Sequence, residues 1–151
     1  MFAPLKPLPP GVKISLAPWS EDASAIAALR RSVFIEEQHV PEAMEWEAVD
    51  PACDWFVARH DGGMVAVARL TPQGRIGRMA VLAAWRGRGI GSALLDLVLA
   101  RAVQRGLAGV ELHAQEHATG FYARFGFVAE GPVFDEAAIP HRRMVLNFRE
   151  A

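Results

Sequence analysis

The sequence predicts an α+β fold in which a mixed, mostly antiparallel central sheet is flanked by helices. Three observations predict it. Three apolar segments typical of strands follow one another with only short turns between them, two further segments repeat apolar residues at helical spacing, and the chain follows the order β α β β β α β α β β. Segments joined by short turns pair as antiparallel strands, and helices between strands must pack on the sheet.

The first half of the chain contains one helix and a three-stranded meander. The helix is predicted from Ser20, a favourable N-cap, to about Glu37, and Pro41 prevents its continuation. Asp61-Gly62-Gly63 is typical of a tight hairpin turn and indicates antiparallel pairing of its flanking strands. The strands of this half are predicted at 12–16, 55–59, 64–70 and 76–82.

The second half begins with a glycine-rich segment, residues 86–91, that opens a helix. Ile90, Leu94 and Leu97 lie on one stripe of this helix, which we expect to end near Gly106, a favourable C-terminal cap. The remaining elements are predicted as a strand at 110–113, a short helix at 115–125 and final strands at 127–129 and 143–148.

Length and composition indicate one folded domain. The chain has 151 residues, of which 52% are hydrophobic, with 16 basic and 17 acidic residues for a net charge of -1. We expect residues 12–151 to form a single domain and the proline-containing residues 1–11 to be a flexible arm. The balanced charge does not favour a nucleic-acid binder, and the apolar runs are too short to span a membrane. Prolines interrupt any N-terminal signal sequence, so we expect a cytoplasmic protein.

The chain contains one cysteine, Cys53. A single cysteine allows neither an intramolecular disulfide nor a cysteine-based zinc site within one chain. Free cysteines are usually small core residues. We therefore predict no metal centre.

The glycine-rich segment Arg86-Gly87-Arg88-Gly89-Ile90-Gly91 predicts an anion site. It follows a strand and opens a helix, where free N–H groups and the helix dipole attract anions, and glycines permit close approach. Its two arginines suit phosphate. It lacks the lysine of a Walker P-loop, and its third glycine comes one residue early for the dinucleotide fingerprint. These residues alone leave the ligand open, and a plain connecting loop is the alternative.

Several motifs in one order and spacing resemble the GNAT superfamily of acyl-CoA-dependent N-acetyltransferases. They are Met79-Ala80-Val81, Arg86-x-x-Gly89-x-Gly91, Val110-Glu111-Leu112-His113 and Phe121-Tyr122-x-x-Phe125-Gly126-Phe127. The resemblance covers about residues 12–148 and is most specific over 76–128. Residues 33–38 with 45–47, and residues 139–144, resemble a bacterial subgroup whose substrates are undefined.

The resemblance implies an enzyme that moves an acetyl group from acetyl-CoA to a primary amine, on a small molecule or a lysine side chain of a peptide, by direct attack. Met79, Ala80 and Val81 would hold the pantetheine arm, and the Val81 N–H would polarise the thioester carbonyl. The pyrophosphate would be enclosed by Arg86, Gly87, Arg88, Gly89, Ile90, Gly91 and Ser92. A homodimer is expected by the same analogy. The alternative is a non-catalytic acyl-CoA sensor on the same fold.

Tyr122 is the predicted general acid. It is the only tyrosine of the chain, it occupies the tyrosine position of the family, and a phenol with a pKa of about 10 keeps its proton at neutral pH. A core aromatic residue is the alternative interpretation. For the general base, His113 at the end of a strand is a candidate, since histidine titrates in the right range. The other candidates are Glu37, Glu45, Glu116, His117, His141 and a chain of waters, with Glu37, Glu45 and His141 expected at the acceptor pocket.

Residues 36–50 contain six carboxylates and no lysine or arginine. A solvated acidic face is the simplest interpretation of such a run. The sharper hypothesis is a cationic acceptor, such as a polyamine, an amino sugar or a lysine side chain, steered by these charges. A third hypothesis is a nucleic-acid module that uses Arg75, Arg78, Arg86, Arg88, Arg101 and Arg105.

Overall fold

A mixed sheet of seven strands forms the centre of the computed structural model, which describes residues 7–148. The strands are β1 Val12–Ala17, β2 Asp54–His60, β3 Gly63–Leu70, β4 Arg75–Val81, β5 Gly109–Gln115, β6 Val128–Glu136 and β7 Ile139–Asn147. The helices are α1 Trp19–Arg30, α2 Glu42–Glu45, α3 Ile90–Gln104 and α4 Thr119–Ala123, and a π-helical segment, Arg31–Glu37, continues α1. This arrangement confirms the predicted fold class. Residues 1–6 of the predicted arm lie outside the described residues, as do 149–151.

The strands follow the order β1-β2-β3-β4-β5-β7-β6, and only β4 and β5 pair in parallel. Their pairing is short, because it consists of Arg75 with Glu111 and Ile76 with Leu112. Each of the two strands has seven residues. Beyond Ile76 and Leu112 the strands therefore separate and leave a gap inside the sheet.

Helices cover both faces of the sheet. Helix α3 buries Leu94, Leu95 and Val98 in the core on one face. Helix α1 buries Ile26 and Leu29 in the core on the other. Since both faces are covered, β2 and β3 are continuous apolar runs and do not alternate, as expected for strands buried on two sides.

Strand β4 has a bulge beside the gap. Its register against β3 shifts between the pair Arg69–Gly77 and the pair Val67–Ala80, so β4 contains one residue more than its partner. Arg78, within this stretch, has a φ of 50°. A bulge bends a strand and changes the direction of the residues that follow it. The bend therefore falls where β4 leaves β5.

The last two strands are longer than predicted, so the predicted bounds 127–129 and 143–148 are wrong. Glycine and proline usually disfavour strands, but Gly131 and Pro132 lie in a bulge of β6, an edge strand, between Glu130 and Phe134. Glycine and proline are tolerated in such places. Pro140 lies beyond the final pair that β7 makes with β5, so its missing N–H costs that ladder no bond.

Candidate active site

A cleft of about 630 Å³ opens where the pairing of β4 and β5 ends. A volume of this size is typical of small-molecule sites. The predicted site residues that line it are Met79, Ala80, Val81, Arg86, Tyr122, His113, Glu37, Glu45, His117 and His141. Residues 87–92 lie outside this lining, in the loop and the first turn of α3, and Glu116 is exposed and also outside it.

The backbone of β4 presents a free edge to the cleft. Leu82 donates its N–H to the Val65 carbonyl of β3 across 2.9 Å. Because successive residues of a strand direct their backbone groups to opposite sides, those of Val81 and Met79 point away from β3. The Val81 carbonyl accepts a hydrogen bond from Arg86 Nε at 2.8 Å. The Val81 N–H therefore remains available to a ligand, whereas its carbonyl is occupied.

The loop between β4 and α3 displays a row of backbone donors. Gly87 and Gly89 have φ angles of 73° and 85°, which residues with a Cβ rarely adopt. No side chain caps α3 at Gly89. Within residues 7–148, the N–H groups from Gly87 to Ser92 donate to no protein acceptor, and the first backbone bond of the helix runs from Ala93 to Gly89. Unsatisfied donors at the positive end of a 15-residue helix are a physical basis for anion binding.

The two arginines of the loop differ in their partners. Arg86 makes a bidentate pair with Glu37, with distances of 2.6 and 2.7 Å, so part of its charge is already matched. This hydrogen-bonded pair holds the pKa of Glu37 below its usual range. The guanidinium of Arg88 lies over the Trp85 ring, 4.7 Å from its centroid, and remains without an ion pair in the described part of the chain.

Tyr122 faces β4 across the cleft. Its hydroxyl donates to the sulfur of Met79 across 3.7 Å, and the rings of Phe121 and Phe127 pack edge-on against its own. Burial raises the pKa of Tyr122 to about 12. The phenol therefore keeps its proton through the neutral range, and a thioether sulfur is only a weak acceptor for it.

His113 lies between an arginine and a carboxylate. Its Nδ1 is 2.9 Å from Glu136 Oε1, and its Nε2 is 2.9 Å from Nη2 of Arg75, which also contacts Nδ1. The tautomer with its proton on Nδ1 satisfies both neighbours, since it donates to Glu136 and accepts from Arg75. Burial disfavours the charge of Glu136, but the hydrogen bond from His113 and the nearby charges of His141 and Arg75 hold its pKa below the usual value.

His141 is buried beside the same carboxylate. Its Nδ1 donates to the Ile139 carbonyl at 2.6 Å, and its Nε2 is 3.9 Å from Glu136 Oε2. Phe134 lies against both histidines, edge-on to His113 and stacked on His141. The cleft therefore contains a His–Glu–His group that β5, β6 and β7 assemble.

The acidic stretch 36–50 is partly solvated and largely paired, since Glu36, Glu37, Glu42 and Glu47 are exposed whereas Glu45 and Asp50 are buried. Five of its six carboxylates pair with arginines from other parts of the chain. The pairs are Glu37 with Arg86, Glu42 with Arg31, Glu45 with Arg30, Glu47 with Arg69 and Arg78, and Asp50 with Arg30 and Arg69. These contacts match much of the negative charge of the stretch, and a cationic acceptor stays a prediction.

The buried part of this network is centred on Arg30. The guanidinium is 1% exposed, donates to Glu45 Oε2 at 2.8 Å and to Asp50 Oδ2 at 2.9 Å, and lies over the rings of Trp46 and Trp55. Burial raises the pKa of Glu45 despite the neighbouring arginines. Glu45 is thus committed to structure, which makes it a weak candidate for a base.

Sequence reasoning missed Glu136 and named Arg75 only among the arginines of the nucleic-acid hypothesis. Glu136 lay in a stretch predicted without structure, so nothing indicated that it would face His113. Arg75 and His113 are 38 positions apart, and only the parallel pairing of β4 with β5 brings them together. In the sequence only β4 adjoins the predicted anion loop, and α3 separates that loop from β5.

The arginines of the third hypothesis do not form one surface. Arg75, Arg78 and Arg86 line the cleft, whereas Arg101 and Arg105 pair with Asp54. The residues from 7 to 148 contain no group of three or more histidines, cysteines or carboxylates that could hold a metal ion. Among these same residues no helix is long and apolar enough to cross a membrane.

Comparisons with known proteins agree with this geometry. A family model described as the acetyltransferase (GNAT) domain matches residues 17–148. YyaT of Bacillus subtilis, an uncharacterized protein, is 33% identical over 119 residues, which cover 75% of this chain and 80% of YyaT. The crystal structure of an acyl-CoA N-acyltransferase from Pseudomonas aeruginosa has a TM-score of 0.80 and 31% identity, over 89% of this chain and 98% of that one. Escherichia coli ElaA has a TM-score of 0.81 and 26% identity over the same shares.

Proposed function

The chain belongs to the GNAT acetyltransferase domain family, whose members transfer acyl groups from acyl-CoA, and we propose that this member moves an acetyl group from acetyl-CoA to a primary amine. The amine belongs to a small molecule or to a lysine side chain. The observation that carries the proposal is the gap between β4 and β5, which lies between a row of free N–H groups and the Tyr122 hydroxyl.

The donor site is proposed along β4 and its loop. The pyrophosphate binds to the N–H groups of residues 87–92, and the pantetheine arm lies beside residues 79–81 in place of the missing β5 pairing. The Val81 N–H faces the thioester carbonyl and stabilises the negative charge that develops on its oxygen. The fit of this site to a phosphorylated, extended ligand is supported by the positive φ angles of Gly87 and Gly89 and by the unpaired edge of β4.

The reaction is a direct displacement. The nitrogen of a neutral amine forms a bond to the thioester carbon, the bond from that carbon to sulfur breaks, and the thiolate leaves. An ammonium acceptor must first lose one proton to a base, and the attacking nitrogen loses a second one as the amide forms. The sulfur gains one proton, so one proton is released overall.

Tyr122 assists the leaving sulfur. Its pKa of about 12 lies above the value near 8.5 of an ordinary thiol, so full proton transfer to the thiolate is unfavourable. The phenol acts mainly by donating a hydrogen bond as charge develops on sulfur, and the departing thiolate takes its proton from water. Its position supports this role, because the hydroxyl already donates to a sulfur atom, that of Met79.

His113 is the base that we propose. Glu136 holds the Nδ1 proton, which leaves Nε2 as the nitrogen that can accept a proton from the amine. Arg75 donates to this nitrogen in the structure, so the guanidinium must move for Nε2 to act. Glu37 is a weaker candidate, because its pair with Arg86 lowers its pKa.

Release of free thiol from acetyl-CoA across a panel of amines tests the function, with butyryl-CoA and octanoyl-CoA as acyl-length controls. Amine-dependent thiol release with an acetylated product supports the proposal. Calorimetric binding of acetyl-CoA without release for any amine contradicts it and favours the non-catalytic sensor. A homodimer and a cytoplasmic location stay predictions of the sequence.

A further inference from the structure

Arg75 differs from the other arginines of the cleft. Arg86 pairs with Glu37, and Arg69 and Arg78 both pair with Glu47. Within residues 7–148, Arg75 has no carboxylate at ion-pairing distance, and its Nη2 contacts the ring of His113. A guanidinium offers five N–H donors, so donors remain for another group.

Glu136 is the corresponding exception among the carboxylates of the cleft. Glu37, Glu45 and Glu47 each have an arginine partner. The ionic partners of Glu136 in the described part of the chain are two histidines, with Oε1 at 2.9 Å from His113 and Oε2 at 3.9 Å from His141. Arg75 and Glu136 are therefore linked only through His113, which both contact, and in the described part of the chain neither has a carboxylate or a guanidinium in direct contact.

The position of this pair is at the closed end of the gap. Arg75 belongs to one of the two residue pairs that still join β4 to β5, and the strands separate after the second pair, Ile76 with Leu112. Met79, which marks the reacting end through its contact with Tyr122, lies four residues further along β4. A molecule that enters with its amine toward Met79 can therefore direct its other end toward Arg75.

Charge matching decides which acceptor suits such a cleft. A diamine would bring a second cation to Arg75, and a simple alkylamine would leave the guanidinium without a counter-ion. An anionic oxygen group accepts two parallel N–H bonds from an arginine, which is the strongest recognition available to that side chain. A few placed polar groups of this kind usually set the specificity of a small-molecule site.

We propose that the acceptor is an amine that also bears an anionic oxygen group, a carboxylate or a phosphate, which Arg75 binds. This inference rests on the proposed function, since it names the acceptor class of the same reaction. It assigns Arg75 as the residue that determines acceptor specificity.

The test compares three matched sets of acceptors with the wild-type protein and acetyl-CoA. They are straight-chain amino acids, alkylamines of the same lengths and aminoalkyl phosphates. We expect kcat/KM for the best anionic acceptor to exceed that of its matched alkylamine by about tenfold or more, as for a charge-assisted bidentate contact. A preference for amino acids identifies the carboxylate as the recognised group, and a preference for aminoalkyl phosphates identifies the phosphate.

Variants of Arg75 assign the preference to that side chain. Arg75→Gln should lower the ratio of kcat/KM for the anionic acceptor to kcat/KM for its matched alkylamine to near one. Arg75→Lys keeps the charge but loses the bidentate donor geometry, so it should retain part of the preference. We measure this ratio because any effect of the substitution on His113 changes kcat/KM equally for the anionic acceptor and for its matched alkylamine. Arg59→Gln, which breaks an ion pair with Asp22 outside the cleft, is the matched control and should keep the wild-type ratio.

The outcomes separate this inference from the proposed function. Thiol release with alkylamines at least as fast as with anionic acceptors overturns the inference and leaves the function intact. A preference that persists in Arg75→Gln overturns the assignment of Arg75. Binding of acetyl-CoA without release for any acceptor overturns the function, and the inference with it.

Discussion

The hydroxyl of Tyr122 on α4 donates to the sulfur of Met79 on β4 across 3.7 Å, and this contact joins the two sides of the cleft. A thioether is a weak acceptor, so the proton of the phenol is not committed to a strong partner. Tyr122→Phe removes this donor and preserves the ring that packs on Phe121 and Phe127. We expect turnover to fall at least tenfold, because a single catalytic proton donor typically contributes at least that much to the rate.

Binding of acetyl-CoA serves as the control for Tyr122→Phe. Because the phenol acts on the leaving sulfur, the Kd of acetyl-CoA measured by calorimetry should stay close to the wild-type value. Wild-type turnover in this variant would remove Tyr122 from the mechanism.

The pH dependence follows from the raised pKa of Tyr122, about 12. A raised pKa extends the protonated form of an acid to higher pH, so the donor persists well above pH 10, where an ordinary phenol ionises. We expect kcat to show no loss attributable to Tyr122 between about pH 7 and 10. Measured profiles of wild type and Tyr122→Phe should have the same alkaline shape, and a falling limb found only in wild type over that range would contradict the assignment.

His113→Gln tests the proposed base. Glutamine keeps a polar side chain next to Glu136 but cannot take up a proton. We expect kcat to fall about a hundredfold, near the lower end for a general base. His39→Asn is the control, since His39 is exposed, lies outside the cleft and has a φ of 60° that asparagine tolerates. Wild-type kcat in His113→Gln would assign the proton transfer to another group.

The glycines of the loop provide a test of the anion site. Gly87→Ala and Gly89→Ala place a Cβ at φ angles of 73° and 85°, at a cost of about 1–2 kcal/mol, so the loop should move and misplace its N–H groups. We expect acetyl-CoA affinity to fall about tenfold, which corresponds to about 1.4 kcal/mol.

Gly62→Ala is the matched control for the loop glycines. Gly62 has a similar φ of 82° and open space where the alanine methyl group would lie, but it belongs to the hairpin between β2 and β3. The substitution should lower stability by a similar amount and leave acetyl-CoA binding unchanged in calorimetry. Equal loss of affinity in all three variants would show that the effect is general destabilisation.

Stability should depend on Arg30 far more than on its neighbour Arg31. Arg30→Met leaves the buried carboxylates of Glu45 and Asp50 without their main partner, at a cost of about 3–5 kcal/mol. Arg31→Met breaks an exposed pair with Glu42 and should change the free energy of unfolding little. Urea denaturation of both variants measures the difference, and similar midpoints for the two would contradict the structural role given to Arg30.

The sequence by itself determined the order of the seven strands and of α1, α3 and α4, the hairpin at Asp61-Gly62-Gly63 and the position of the glycine-rich loop at 86–91, because each depends on residues that are close together in the chain. Local preferences of this kind are readable from period and turn chemistry. The extent of β6 and β7 could not be predicted in this way. Glycine and proline usually disfavour strands, but here they are tolerated at a bulge and at a free edge.

Only the tertiary structure decided the charges of the cleft. The carboxylates of 36–50 have an excess of negative charge in the sequence, yet their arginines come from α1, from the π-helical segment, from β3 and β4, and from the loop. The meeting of Arg75, His113 and Glu136 likewise requires three strands distant in the chain. Coulomb energy depends on the distance between charges in space, so the net charge of a site depends on which side chains the fold brings together.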